Sequence, residues 1–122
     1  MKLNYSKPFL YLWMIGVGVV TVLSLTPVKH VPDLGFLVYD KFLHLSCYFV
    51  IAILACLAGS KWNMRYLLCF MTLLISVGIE FLQPITGRSF DELDMVANLL
   101  GIIIAICVTK LFLWRFPAFS SQ

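Results

Sequence analysis

The segment FLHLSCYFVIAILACLA, residues 42–58, is apolar apart from a few polar side chains near its start. A helix rises about 1.5 Å per residue, so this run is about long enough to cross a hydrocarbon core roughly 30 Å thick. Comparable runs lie at residues 9–25, 66–82 and 93–113. The sequence therefore predicts an all-α, integral-membrane four-helix bundle with helices at about residues 9–26, 42–59, 65–83 and 90–113.

The composition agrees with a membrane protein, since 61% of the residues are hydrophobic and only 12% are charged. Little chain remains outside four spans, which excludes a soluble domain with its own core. Lys2 and Lys7 before the first run would also fit a secretory signal. However, Pro27 directly after Thr26 is a poor cleavage context, and three further spans follow. We expect a single domain, residues 1–122, that retains its first helix.

The charged residues are distributed unevenly between the two ends of the predicted bundle. Six basic residues lie at one end: Lys2, Lys7, Lys61, Arg65, Lys110 and Arg115. Three basic residues and all six carboxylates lie at the other: Lys29, Lys41, Arg88, Asp33, Asp40, Glu80, Asp91, Glu92 and Asp94. Basic residues near helix ends favour the cytoplasm, so both termini are predicted to be cytoplasmic. The net charge of +3 reflects this asymmetry and implies no nucleic-acid partner.

Polar residues within three of the spans recur at helical spacing, so that each set shares one helix face. The sets are Asp40, His44 and Tyr48; Thr72, Ser76, Glu80 and Gln83; and Asp91, Asp94, Asn98 and Gly101. Alternate threading places the polar ends of all three helices on the outer side. Because such groups are costly when they face lipid, we expect the three faces to turn towards one another.

The sequence thus predicts an outward-opening polar pocket, one to two helical turns deep. Its inner part is built from His44, Glu80, Asp94 and Asn98. Six further residues are expected at or near its mouth: Asp40, Lys41, Tyr48, Gln83, Arg88 and Asp91.

Several of these residues also have structural explanations. Asp40 and Asp91 lie at predicted helix starts, where a carboxylate complements the helix dipole. Ser89 and Glu92 have the spacing of a capping box, with Ser89 as the N-cap. Lys41 is compatible with an anchor that reaches towards the lipid headgroups.

The deeper residues and the loops also allow more than one explanation. A hydrogen bond between His44 and Glu80 would fasten two helices together, although ionisable groups inside a membrane are functional candidates by default. Arg88 is either a solvated charge or a phosphate ligand. The apolar residues 34–39 form a run too short to span a bilayer, and we expect it in the outer interface.

The same residues resemble the signature of VanZ-like membrane proteins. The matching pattern is Asp40-Lys41-x-x-His44-x-x-x-Tyr48, then Glu80-x-x-Gln83, then Arg88-x-x-Asp91-x-x-Asp94-x-x-x-Asn98-x-x-Gly101. It covers residues 40–101, and the four-helix organisation extends it over nearly the whole chain. The resemblance implies a small multi-pass protein of the bacterial cytoplasmic membrane, whose family namesake is linked to resistance to teicoplanin-type glycopeptide antibiotics. It implies no settled biochemical mechanism.

Three kinds of function fit the predicted pocket. The first is a binding module that holds an envelope lipid, a lipid-linked precursor or a glycopeptide-type amphiphile, because acids, bases and amides lie beside apolar helix walls. The second is a membrane-embedded enzyme acting on an outer-leaflet lipid, with His44, Glu80 or Asp94 as general acid or base. A transporter component ranks last, since the inner halves of the helices carry almost no polar residues.

Cofactor use and assembly are less constrained. His44, Glu80 and Asp94 suit zinc or manganese chemically, but a single helical histidine does not establish such a site, and the sequence assigns no metal. The four cysteines lie within apolar spans without a Cys-x-x-Cys pair, which disfavours disulfides and thiolate sites. The cofactor is left unassigned. The expected partners are the bilayer and an envelope lipid, and a homo-oligomer stays open.

Overall fold

The computed structural model describes residues 6–27 and 34–119. These residues form four α-helices and two short 3₁₀ turns: α1 (Ser6–Leu25), α2 (Leu34–Ala58), α3 (Trp62–Leu82), a turn at Gln83–Thr86, α4 (Glu92–Arg115) and a turn at Pro117–Phe119. All four helices are long and apolar enough to cross a membrane, which confirms the predicted all-α, multi-pass fold. The cytoplasmic placement of both termini stays a prediction. Lys2, Lys29 and Asp33 lie outside the described residues.

The exterior of the bundle is apolar and its interior is comparatively polar, the reverse of a soluble protein. Val22, Phe42 and Leu111 are each more than 60% exposed. In contrast, Ser76 and Glu80 are 0% exposed. A bilayer solvates the exposed apolar side chains, whereas the polar groups must find partners inside the bundle.

Helix α2 lies at the centre of the bundle and packs against the other three helices, most extensively against α4. Small residues make this close packing feasible: Ala52, Ala55 and Ala105 are completely buried. The closest approach is at Gly101, where a Cβ would collide with the carbonyl oxygen of Leu45. Small residues at helix interfaces are expected in membranes, where association depends on van der Waals packing and interhelical hydrogen bonds. Gly101 therefore sets the spacing of α2 and α4 close to their polar residues.

Helix α2 begins eight residues before its predicted start, so residues 34–39 belong to the helix itself. Its 25 residues extend about 37 Å, which is longer than a hydrocarbon core of roughly 30 Å. Asp40 is consequently the seventh residue of α2, and the helix-start explanation of its carboxylate is wrong. The prediction that residues 34–39 lie in the outer interface stays a prediction.

A tight reversal connects α3 to α4. The 3₁₀ turn Gln83–Thr86 ends at Gly87, which has a φ of +84° that glycine adopts without strain. The amide of Arg88 then donates to the carbonyl oxygen of Gln83 over 3.0 Å. This turn reverses the chain direction at this end of the bundle and places Arg88 beside α1 and α2.

The predicted capping box at the start of α4 is wrong. The N-cap is Asp91, whose backbone is extended and whose side chain accepts a hydrogen bond from the amide of Leu93 at 2.8 Å. Because Asp91 already supplies the capping oxygen, Ser89 lies outside α4. Glu92 is the first residue of α4. Asp91 therefore has the helix-start role that the sequence allowed for it.

Helix α1 is the least buried of the four spans. One directional contact attaches it to α3, because the indole Nε1 of buried Trp13 donates to Thr72 Oγ1 over 2.9 Å. Thr72 Oγ1 in turn donates to the carbonyl oxygen of Leu68. The N-terminal half of α1 is thus attached to α3, and its C-terminal end lies beside the polar end of α2.

Candidate functional site

The structure brings the ten predicted ligand-binding residues to one end of the bundle. We call this set the polar cluster: Asp40, Lys41, His44, Tyr48, Glu80, Gln83, Arg88, Asp91, Asp94 and Asn98. Tyr48 and Gln83, which the sequence placed at or near the mouth, are only 3% and 1% exposed. The partly exposed members are Asp40, Lys41, Arg88 and Asp91. Whether these residues bind a ligand stays a prediction.

Lys41 links α2 to the beginning of α4. Its amino group donates hydrogen bonds to both Asp91 Oδ2 and Asp94 Oδ1. The side chain of Asp94 is only 4% exposed and that of Lys41 is 24% exposed. The lysine therefore forms ion pairs with two carboxylates at the start of α4 instead of extending as a headgroup anchor.

His44 connects all three helices of the cluster. Its Nδ1 lies 3.0 Å from Asn98 Oδ1, and because an amide oxygen only accepts, Nδ1 carries a proton. Asn98 Nδ2 donates to Ser76 Oγ on α3 over 3.5 Å. On the other side of the ring, Nε2 lies 3.6 Å from Asp94 Oδ2. The histidine is therefore held in one orientation, with Nε2 directed at carboxylates.

Glu80 is completely buried on α3 and lies beside the side-chain amide of Gln83. With the amide nitrogen of Gln83 towards it, that amide donates to Glu80 Oε2 over 2.8 Å and to the carbonyl oxygen of Ser89 over 3.3 Å. The opposite orientation donates to the Ser24 carbonyl oxygen at 3.3 Å but turns the amide oxygen towards the carboxylate. We therefore assign the first orientation, in which the amide nitrogen of Gln83 faces the carboxyl group of Glu80.

One oxygen of this glutamate is unsatisfied. Glu80 Oε1 has no hydrogen-bond partner among the described residues, and it lies 3.9 Å from His44 Nδ1. Leaving a buried acceptor unpaired costs about 1–3 kcal/mol, and more when the group is charged. His44 and Glu80 therefore lie within range of an electrostatic interaction but do not form the direct hydrogen bond that the sequence suggested.

Asp40 and Arg88 form the partly exposed rim of the cluster. Arg88 Nη2 lies 4.0 Å from Asp40 Oδ1, too far for a hydrogen bond. Its Nη1 lies 3.5 Å from the carbonyl oxygen of Leu23. The guanidinium is therefore near one carboxylate without being saturated by it, and retains donors for a further anion.

Asp91 is the cluster carboxylate outside the membrane-spanning segments. Burial disfavours its charged form, but hydrogen bonds from Lys41 and from the amide of Leu93 outweigh that effect and hold the pKa of Asp91 below its ordinary value. Asp91 is therefore charged at neutral pH.

A partly open cavity of about 130 Å³ lies beside the polar cluster, between the end of α1 and the first half of α2. Its apolar lining comprises Val20, Leu23, Leu43, Cys47 and Tyr48. Its polar lining comprises Ser24, Asp40, His44 and Arg88. We refer to it as the α1–α2 cavity. It combines apolar walls with a charged end.

The location of this cavity differs from the pocket predicted among α2, α3 and α4. Between those helices the described side chains bond to one another: His44 to Asn98, Asn98 to Ser76, and Lys41 to both Asp91 and Asp94. Six predicted ligand-binding residues accordingly do not line the cavity: Lys41, Glu80, Gln83, Asp91, Asp94 and Asn98. Sequence reasoning missed the contribution of Val20, Leu23 and Ser24 on α1. The serine near the end of α1 was the only polar signal among these three.

The metal-ligand grouping also differs from the one considered from the sequence. Asp40, His44 and Asp94 each present one ligand atom, and these atoms all lie within 4.8 Å of one another. Glu80 instead approaches His44 from the side of Nδ1, which already carries a proton.

Comparison with known proteins identifies a family for this arrangement. No curated protein and no solved structure is significantly similar to the chain. The VanZ/LLP1 family model matches residues 5–113, which include all four helices from near the start of α1 to near the end of α4 and the whole polar cluster. The chain therefore belongs to the VanZ/LLP1 family.

Proposed function

We propose that this protein holds the phosphate-bearing headgroup of an envelope lipid, or of a lipid-linked precursor, in the α1–α2 cavity. The observation that carries the proposal is the pairing of apolar walls with a charged end in one cavity. An amphiphile matches this pairing, since its headgroup contacts the charged end while its chains stay beside the apolar helices. The cavity opens between two membrane-spanning helices, where a lipid approaches from the side.

The size of the cavity limits what can enter. At about 130 Å³ it is similar to an engineered cavity of about 150 Å³ that holds benzene. A phosphate with its neighbouring atoms fits such a volume, whereas a whole glycopeptide is far too large. A contribution to teicoplanin resistance would accordingly act through a lipid or lipid-linked precursor.

Arg88 is the proposed phosphate ligand. Its guanidinium presents several donors in a fixed geometry that suits phosphate oxygens. The 4.0 Å separation from Asp40 leaves Nη2 able to turn towards an incoming anion, while Nη1 donates to the carbonyl oxygen of Leu23. Asp40 at the same end can accept from an amine or hydroxyl of the headgroup.

The proposed binding side is the outer leaflet of the bacterial cytoplasmic membrane. Aromatic and basic residues gather at the opposite end of the bundle, where Lys110 Nζ lies 5.3 Å from the ring centroid of Trp62 and 5.2 Å from that of Tyr66. Such aromatic residues are typical of a membrane interface, and an excess of basic residues favours the cytoplasm. Cysteine labelling in intact cells tests this orientation: Thr86→Cys should react from outside and Asn63→Cys should be protected. The reverse pattern would overturn it.

Native mass spectrometry of the purified protein with defined lipids tests the binding proposal. The probes are phosphatidylglycerol, a polyprenyl phosphate and diacylglycerol, which lacks phosphate. We expect either phosphate lipid to bind more tightly than diacylglycerol. The one that binds more tightly indicates whether the headgroup comes from an envelope lipid or from a lipid-linked precursor.

Arg88→Gln should weaken phosphate-lipid binding about tenfold or more, because a charged hydrogen bond is worth about 1.5–3 kcal/mol. Lys61→Gln, at the opposite end, removes the same charge and should bind as the parent does. Equal binding of diacylglycerol, or unchanged binding by Arg88→Gln, would contradict the proposal.

A membrane-embedded enzyme is the second candidate, because His44 lines the cavity while unsatisfied Glu80 Oε1 lies close behind it. The same lipids can be analysed for conversion after incubation. If the parent converts a lipid and His44→Gln binds it without conversion, the protein is an enzyme. Binding without conversion by the parent favours the binding module.

A further inference from the structure

The side chains of Asp40, His44 and Asp94 converge on one point at the inner edge of the α1–α2 cavity. His44 Nε2 is 3.6 Å from Asp94 Oδ2 and 4.0 Å from Asp40 Oδ1. Two metal–ligand bonds of about 2.05 Å at a tetrahedral angle would separate their ligand atoms by about 3.3 Å. The three ligand atoms all lie within 4.8 Å of one another, so each pair would have to approach by no more than about 1.5 Å to close around an ion.

The orientation of His44 supports this interpretation. Its Nδ1 proton is engaged with Asn98 Oδ1, so the electron pair of a neutral ring lies on Nε2 and faces two carboxylates. These three electron-rich atoms repel one another unless a cation or a proton lies between them. Histidines that bind metals are typically fixed in this way, by donating the other ring N–H to a nearby acceptor.

The two oxygens of Asp94 have separate environments. Oδ1 accepts from Lys41, whereas Oδ2 faces His44 Nε2. Lys41 therefore orients this carboxylate without occupying the oxygen that a metal would use. Metal-binding carboxylates are commonly hydrogen-bonded through such outer partners.

The charge of the polar cluster supplies an independent argument. Its four carboxylates are Asp40, Glu80, Asp91 and Asp94, and its two permanently charged bases are Lys41 and Arg88. Carboxyl groups thus outnumber the permanently charged bases by two to one, which favours a cation in the cluster.

We propose that Asp40, His44 and Asp94 bind a divalent transition-metal ion of the Zn²⁺ or Mn²⁺ type. One imidazole nitrogen and two carboxylate oxygens suit both ions, and three protein ligands leave a coordination position open. Since Asp40 and His44 also line the α1–α2 cavity, the open position faces the space where an anionic group can enter. The ion binds whether or not the cavity receives a lipid, so the proposal does not depend on the proposed function.

Cobalt titration tests the site on full-length protein that carries a tag without histidines. After treatment with a chelator, Co²⁺ is added in detergent and followed by visible absorption, and Zn²⁺ is then added as a competitor. We expect one Co²⁺ per chain, with a spectrum of nitrogen and oxygen ligands and displacement by Zn²⁺. His44→Gln, Asp40→Asn and Asp94→Asn should each raise the Kd more than about 100-fold, and Asn98→Ala about 10- to 100-fold.

Glu92→Gln is the matched control, because it removes the same charge from an exposed position on α4 and should leave the Kd unchanged. If His44→Gln fails to fold, Asp40→Asn at the partly exposed rim decides. The proposal is overturned if the parent binds no Co²⁺, or if Asp40→Asn and Asp94→Asn bind as the parent does. A thiolate charge-transfer band would also overturn it, by placing the ion at cysteines such as Cys56 and Cys69, whose sulfurs are 3.7 Å apart.

Discussion

The contact between α2 and α4 at Gly101 can be tested with a single added methyl group. In Gly101→Ala the new Cβ would collide with the carbonyl oxygen of Leu45 and lie 3.0 Å from the amide nitrogen of Phe49. Both are backbone atoms of α2, so no side chain can rotate away. The helices would have to separate by about 1 Å to restore ordinary van der Waals distances.

The size of the effect follows from two opposing contributions. Overpacking a well-packed interface costs about 1–3 kcal/mol. Replacing glycine by alanine in a helix stabilises it by up to about 1 kcal/mol. Gly78→Ala on α3 is the matched control, because its Cβ would meet nothing within 4 Å and receives only the second contribution. The difference between the two variants therefore isolates the steric cost, about 1–3 kcal/mol.

Unfolding in mixed micelles, with increasing SDS and circular dichroism as the signal, provides the free energies of unfolding. We expect Gly101→Ala to be less stable than Gly78→Ala by the steric cost. Because Asn98 is one turn away on the same face of α4, separation of the helices should also weaken its hydrogen bond with His44. If the two alanine variants have stabilities within about 0.5 kcal/mol of each other, the close approach of α4 to α2 at Gly101 is wrong.

Three further predictions concern individual contacts. Lys41→Met should lower the free energy of unfolding by about 1–3 kcal/mol, because it leaves the carboxylate of Asp94 buried and unpaired, and adding Asp94→Asn should recover part of the loss; no recovery would mean that the pair is not coupled. Because the pKa of Asp91 is lowered on folding, its charge stabilises the fold above its ordinary pKa of 3.8, and this stabilisation is lost as the pH falls through the lower folded value. Asp91→Asn should therefore be less stable than the parent at pH 7, by an amount that shrinks in strong acid. A stability difference that does not change with pH would refute the lowered pKa of Asp91. Thr72→Val should destabilise the bundle by about 1 kcal/mol because it removes the acceptor of Trp13 Nε1, and unchanged stability in the same SDS titration would exclude that contact.

The polar faces of α2, α3 and α4 were predictable because helical spacing alone determines which residues share a face. Asp94 and Asn98 are four residues apart and are both buried, as the spacing indicated. His44 was likewise predictable one turn after Asp40. For these residues, a polar side chain inside an apolar span has few alternatives to an inward orientation.

The helix boundaries at this end were harder to predict because they depend on partners distant in sequence. Asp40 and Lys41 separate two apolar runs and resemble the end of a loop. Lys41, however, is paired with Asp91 and Asp94, which are 50 and 53 residues away, and so α2 continues through both charges. Ser89 and Asp91 are both good N-cap residues, and only the backbone geometry decides between them.

The α1–α2 cavity could not be predicted, because α1 has no strongly polar stripe that would orient it. Its position depends on packing, including the buried Trp13 and the approach of Arg88 to the carbonyl oxygen of Leu23. A gap between two packed helices results from the shapes of many side chains, and sequence periodicity does not report it.

Filling the α1–α2 cavity with a larger side chain tests whether a lipid headgroup occupies it. Val20 lines it, whereas neighbouring Val19 is 52% exposed on the outer surface of α1. The measurement is the Kd of the preferred phosphate lipid, determined by native mass spectrometry for Val20→Phe and for Val19→Phe. We predict that Val20→Phe loses binding while Val19→Phe binds as the parent does. Full binding by Val20→Phe would mean that the headgroup does not lie in this cavity.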